Sequence, residues 1–173
     1  DLRWHIVRSV QHPWLHVGSS VDSTRQERRT ARARPPPPVP DGTIHYRADG
    51  AARGQGSGAI GNGSFGAVRL SGGLQVRFCG ERLGTCTNNI AEYSGAISCL
   101  QDLSGKRPSP AVVELDSMLV VKQCSCEWRC NSPDLESYYL RAVAMLRNLG
   151  RRGFDITFRR IYREYNALAD SIA

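Results

Sequence analysis

The alternation of apolar and polar positions becomes orderly only from about residue 43. Thr43-Ile44-His45-Tyr46-Arg47-Ala48 reads as a strand ending at Asp49-Gly50, followed by a Gly-rich loop, Arg53-Gly54-Gln55-Gly56-Ser57-Gly58. Residues 64–70 and 74–80 alternate on either side of Ser71-Gly72-Gly73, as a hairpin does. The period then changes. Ile90, Ala91, Tyr93, Ala96, Ile97 and Leu100 form a helical stripe, which Asn88 or Asn89 is placed to cap. Ala111 to Leu115 is a short apolar strand ending at Asp116, and Ser117 to Gln123 a short helix. Ser132-Pro133-Asp134 opens a longer helix to about Leu149, where Gly150 is expected to stop it. Phe154 to Ile161 alternates as a strand, and Glu164 to Ala173 forms a last helix. The order β-β-β-α-β-α-α-β-α predicts an α/β domain with a mixed sheet: an antiparallel meander, then parallel strands, with helices on the faces.

Composition divides the chain differently from periodicity. The 173 residues suit one domain plus a tail and are 40% hydrophobic and 23% charged, as in an ordinary globular protein. Residues 1–40 hold seven Arg against three acids, so this stretch carries +4 of the net +7 and the rest only +3. With the run Arg25 to Arg34 and the proline block Pro35 to Pro38, 1–40 reads as an Arg/Pro-rich linker or a fragment of an upstream unit, expected to be disordered. Residues 41–173 form the domain. A solvated linker is preferred over a nucleic-acid-binding arm for the Arg run. Trp4, Trp14 and Leu15 point to a piece of another folded unit, and the first residue, Asp1, points to a fragment or processed chain.

No apolar run approaches the length of a membrane span, and no secretory signal is evident. The six cysteines are therefore expected as thiols in a reducing compartment, nucleus or cytoplasm, in a chain that is not secreted. Cys124-x-Cys126-x3-Cys130 lacks the spacing of a zinc site, and ordinary thiols are the better reading.

The acidic residues carry the chemistry. Asp49 and Asp116 end two strands which, if adjacent and parallel, deliver both carboxylates to one sheet edge, where open α/β sheets place their sites. Glu92 lies in the first turns of one helix and Asp170 on the last, each among apolar neighbours. Four converging carboxylates repel unless cations lie between them, and oxygen ligands suit Mg²⁺ or Mn²⁺. A pair of such ions roughly 3.5–4 Å apart stabilises both the attacking and the leaving oxygen of a phosphodiester displacement.

Four segments in this order resemble ribonuclease H of type 1, in the shorter branch found in plant and archaeal proteins and some retroelements. They are Tyr46-Arg47-Ala48-Asp49-Gly50-Ala51-Ala52-Arg53-Gly54, Thr87-Asn88-Asn89-Ile90-Ala91-Glu92-Tyr93, Glu114-Leu115-Asp116-Ser117 and Arg163-Glu164-Tyr165-Asn166-Ala167-Leu168-Ala169-Asp170. The resemblance implies a five-stranded mixed sheet and a monomer that cuts the RNA strand of an RNA–DNA hybrid, leaving a 5′-phosphate and a 3′-hydroxyl. It implies two Mg²⁺ ions (Mn²⁺ as the alternative) held by Asp49, Glu92, Asp116 and Asp170. It implies nucleic-acid contacts at Arg53, Thr87, Asn88, Asn89, Trp128 and Asn166: Thr87 at a DNA-strand phosphate, the two Asn at minor-groove edges and RNA 2′-hydroxyls. An upstream reverse-transcriptase-like domain in a retroelement polyprotein is the expected context.

The chain departs from the family in three places. The stretch Arg159-Arg160-Ile161-Tyr162-Arg163-Glu164 holds no His where many members carry one, leaving Arg163 or Glu164 to take part of that role. Lys122 to Ser132 is too short for a basic protrusion, and the chain stops three residues after Asp170, so the last helix is expected to be cut short. The competing readings are a catalytically inactive nucleic-acid-binding module of the same fold and a related metal nuclease acting on DNA or structured RNA.

Overall fold

The computed structural model describes residues 5–6, 35–53 and 60–173. Most of the expected 1–40 linker, including the Arg25–Arg34 run, and the Gly54–Gly58 loop lie outside the described residues. The elements are β1 (His5–Ile6), β2 (Ile44–Arg53), β3 (Gly61–Ser71), β4 (Leu74–Cys86), α1 (Asn88–Ser104), β5 (Pro110–Leu115), α2 (Met118–Cys124), α3 (Pro133–Arg151), β6 (Asp155–Arg160), a 3-10 turn (Arg163–Tyr165) and α4 (Ala167–Asp170).

Five strands make the expected mixed sheet, antiparallel through β4-β3-β2 and parallel through β2-β5-β6. The two-residue β1 adds an antiparallel edge beside Arg77 and Phe78 of β4. Among the described residues before 41, the Pro37 carbonyl also meets the domain, accepting a hydrogen bond from Arg159 at 2.7 Å.

The core lies between the sheet and α1, α2 and α3. Tyr46, Ala48, Phe65, Ala67, Val113 and Leu115 point from the strands into the same buried cluster as Tyr93, Ile97, Leu100, Val120 and Leu149. Their period-2 spacing in the strands and period-3.6 spacing in the helices explain why these segments adopt these forms. On the opposite face, Val68, Leu70 and Ala169 form a smaller cluster beneath α4. Among the described residues no helix is long and apolar enough to cross a membrane.

Several boundaries move. The first strand of the meander does not end at Asp49-Gly50. Its parallel pairing with β5 stops at Arg47↔Glu114, while its antiparallel pairing with β3 continues to Arg53↔Asn62. Thr87, not Asn88 or Asn89, caps α1, its hydroxyl oxygen accepting from the Ile90 amide at 3.3 Å. Gly150 lies within α3; the chain turns away at Gly153, whose φ of +91° suits only glycine. The expected last helix is broken into the 3-10 turn and α4 at Asn166.

Candidate metal centre

The strand register brings the carboxylates together. Ile44 pairs with Ala111 and Arg47 with Glu114, and the same offset carries Asp49 level with Asp116 where the β2–β5 ladder has just ended. Freed from pairing, Asp116 leaves β5, and Ser117 caps α2 with its hydroxyl oxygen accepting from the Val120 amide. Two glycines let the remaining elements approach. A Cβ on Gly50 would overlap the backbone of Ala91 and Glu92, and one on Gly66, the register partner of Asp49, would overlap the Ala169 carbonyl. Their bare backbones let α1 bring Glu92, and α4 bring Asp170, to the edge that holds Asp49.

One carboxylate oxygen each from Asp49, Glu92 and Asp116 lie within 4.8 Å of one another. Asp49 and Glu92 are buried, and Glu92 Oε2 and Asp116 Oδ1 are shielded from solvent without a hydrogen-bond partner. Burial, then the charge on Asp116 and the neighbouring Asp170, pushes the Asp49 carboxyl up to about 7. Burial, then the charges on Asp116 and Asp49, pushes Glu92 up to about 9. Close-packed carboxylates with orphaned oxygens are short of positive charge, and an all-oxygen donor set fits a hard divalent cation. Asp170 stands beside Asp49 but gives an oxygen to Arg163 at 2.6 Å, which holds its carboxyl below the usual range.

The other expected site residues divide into three groups. Arg53 ends β2, and Thr87, Asn88 and Asn89 open α1, the two elements that carry Asp49 and Glu92. Asn88 ties these elements together, its Oδ1 accepting from the Ala52 amide at 3.2 Å, while Arg53, Asn88 and Asn89 remain exposed. Trp128 is 48% exposed on the loop after α2. Buried Gln123 anchors that loop, donating to the Arg129 carbonyl at 3.1 Å while accepting from the Tyr93 hydroxyl at 2.5 Å, one residue past Glu92. Asn166, expected at nucleic acid, is instead fully buried. Its amide donates to the Ala48 carbonyl at 2.8 Å, which fastens α4 to β2 next to Asp49. Its Oδ1 is buried without a hydrogen-bond partner.

Sequence reading missed Glu114. It is fully buried, and His45, Arg47 and Arg159 all bond its carboxylate. Burial alone would raise its pKa, but these three partners outweigh it and hold the carboxyl at about 2. The signal was a lone acid in the otherwise apolar strand 111–115, where an ion needs buried partners.

Comparison with known proteins agrees with this geometry. A family described as Reverse transcriptase-like matches residues 49–173. A bifunctional protein of Mycobacterium tuberculosis is 34% identical over 132 residues, covering 75% of this chain and 34% of its own length. The chain thus spans about a third of that curated relative. The crystal structure of RNase H1 from Halobacterium salinarum NRC-1 superposes with a TM-score of 0.65 at 34% identity, over 76% of this chain and 95% of that one. LC11-RNase H1, solved in complex with an RNA/DNA hybrid, superposes with a TM-score of 0.66 at 27% identity, over 75% and 93% of the two chains.

Proposed function

The chain belongs to the type 1 ribonuclease H family, and we propose that it is a metal-dependent endonuclease that cuts the RNA strand of an RNA–DNA hybrid. The carboxylate cluster carries this reading: three acids converge within 4.8 Å, two of them buried, with oxygens left unpartnered. Asp49, Glu92 and Asp116 would hold two divalent ions, with Asp170 as the fourth ligand. Bound Mg²⁺ or Mn²⁺ supplies positive charge at the phosphoryl oxygens and an activated water.

The chain's own residues do the rest. Gly50 and Gly66 set the spacing of the acids, and Asn166 fixes the β2 backbone beside Asp49. Arg163 orients Asp170 and offsets charge among the four acids, lowering the proton affinity of Asp49 and Glu92. The exposed Arg53, Asn88 and Asn89, with Thr87 beside them, present donors and acceptors suited to phosphates and 2′-hydroxyls, and Trp128 offers a flat apolar face. The solved LC11 complex with a hybrid supports this assignment of substrate.

The wider reading places the domain downstream of a reverse transcriptase in a retroelement polyprotein inside the cell, where it removes the RNA template. The name of the matched family and the six free thiols are compatible with it. A reverse-transcriptase sequence directly upstream in the same gene supports this context, and a complete short gene without one excludes it.

The test of function is cleavage of a labelled RNA–DNA hybrid with Mg²⁺ and with Mn²⁺, beside duplex RNA and duplex DNA, for the parent chain and Asp116→Asn. Metal-dependent cutting of the RNA strand alone, abolished by Asp116→Asn, is expected. Hybrid binding without cutting would identify a non-catalytic module.

A further inference from the structure

Arg160 closes β6, and Tyr162 follows just before the 3-10 turn. Arg160 Nε donates to the main-chain carbonyl of Asp116 at 3.3 Å, and its guanidinium carbon lies 5.6 Å from the centroid of the Tyr162 ring. Ile161 between them is buried, and its amide donates to the Leu115 carbonyl at 2.8 Å, so the backbone carrying the pair is fixed to the end of β5. Neither outer side chain is buried. Arg160 is exposed, Tyr162 is 45% exposed, and apart from the bond to Asp116 the guanidinium makes no hydrogen bond or ion pair among the described residues.

A rigidly mounted aromatic ring with a cation lying over it, open to solvent, contributes little to folding. At this position it faces a different demand. Any nucleotide brought to the carboxylate edge carries a phosphate toward four acids, and a cation beside Asp116 reduces that repulsion. The π-face next to it stacks on a base of any identity, as a nuclease without sequence preference requires.

We infer that Arg160 and Tyr162 form a nucleotide-binding shelf beside Asp116. It takes one unit of the strand being cut, with the base against the open side of the Tyr162 ring and the phosphate on the free guanidinium nitrogens of Arg160. The shelf rests on the nuclease reading for its substrate, and its two residues position nucleic acid without touching the reacting atoms.

The test uses the full chain, the labelled RNA–DNA hybrid, and the variants Tyr162→Ala, Tyr162→Phe and Arg160→Ala. Binding is measured by fluorescence anisotropy in Ca²⁺, cleavage kinetics in Mg²⁺, and folding by thermal melting. Tyr162→Ala and Arg160→Ala should each raise Kd and KM about ten-fold with kcat within about two-fold of the parent, while Tyr162→Phe stays near the parent. Arg160→Ala should also reduce the salt dependence of binding by about one phosphate contact. Parent-like Kd and KM in both Ala variants would overturn the shelf, as would a lowered melting temperature without a change in KM, the mark of a pair that only ties β6 to the turn. A parent that binds hybrid, is weakened by the Ala variants and never cuts would overturn the nuclease reading and keep the shelf. A parent that neither binds nor cuts overturns both.

Discussion

Gly50 and Glu92 are in backbone contact: a side chain of even one carbon on Gly50 would overlap the Glu92 amide and the Ala91 carbonyl. Glu92 therefore stands level with Asp49 because the residue next to Asp49 has no side chain. Gly50→Ala must push β2 and α1 apart. A loss of about 3 kcal/mol is expected, at the upper end for overpacking a core. The stabilising effect of Mg²⁺ should vanish with it. Thermal melts with and without Mg²⁺ check this, and an Ala variant that keeps the full Mg²⁺ response would refute the contact's role.

The metal-free protein should lose stability as pH rises. Asp49 and Glu92 have folded values of about 7 and about 9, above their ordinary values of 3.8 and 4.5. Groups raised on folding contribute stability that is complete below the ordinary value and is lost as pH climbs through the folded one. In EDTA the melting temperature should therefore fall between about pH 5 and 9. Millimolar Mg²⁺, bound by the folded state alone, should restore more at pH 9 than at pH 5. Melting temperatures in EDTA that stay level across this range would count against a carboxylate cluster in need of a cation.

Arg163 and Asp170 form a half-exposed pair, so Arg163→Ala should cost less than about 1 kcal/mol in stability. Its effect on cleavage should be larger and recognisable by its direction. Removing a positive charge that lowers the proton affinity of Asp49 and Glu92 should move the acid limb of the kcat/KM profile to higher pH. Arg163→Lys should return most of the shift. A profile displaced equally in both variants would show that the guanidinium geometry, not its charge, is what matters.

Glu114 is the buried counter-ion of Arg47, Arg159 and His45, and Glu114→Gln leaves those bases without it. The expected loss is on the order of 3 kcal/mol, read from urea unfolding at neutral pH. Its pH dependence is opposite to that of the metal centre. The folded value of about 2 lies below the ordinary 4.5, so its contribution is present above pH 4.5 and disappears as pH falls toward 2. The gap between parent and Glu114→Gln should therefore be widest at neutral pH and close as pH falls toward 2, and equal unfolding curves at neutral pH would remove Glu114 from the account of stability.

Local pattern determined much of this molecule. Period-2 alternation in 64–70 and 74–80, the helical stripe from Ile90 to Leu100 and the short apolar strand 111–115 are legible because burial on one side of an element repeats along the chain. Four acids in four motif segments identified the candidate chemistry for the same reason: each motif is a run of neighbours. Pairings between residues far apart in sequence were decided by the tertiary structure. Asp49 lies inside a long strand because β3 keeps pairing after β5 has stopped. Thr87 displaced the Asn residues as cap because Asn88 is engaged by Ala52 of β2. Asn166 is buried because α4 docks over Gly66, and Glu114 gathers bases from two other strands. Burial and charge pairing depend on which backbones come within van der Waals distance, and that is set by strand register and by the absence of side chains at Gly50 and Gly66.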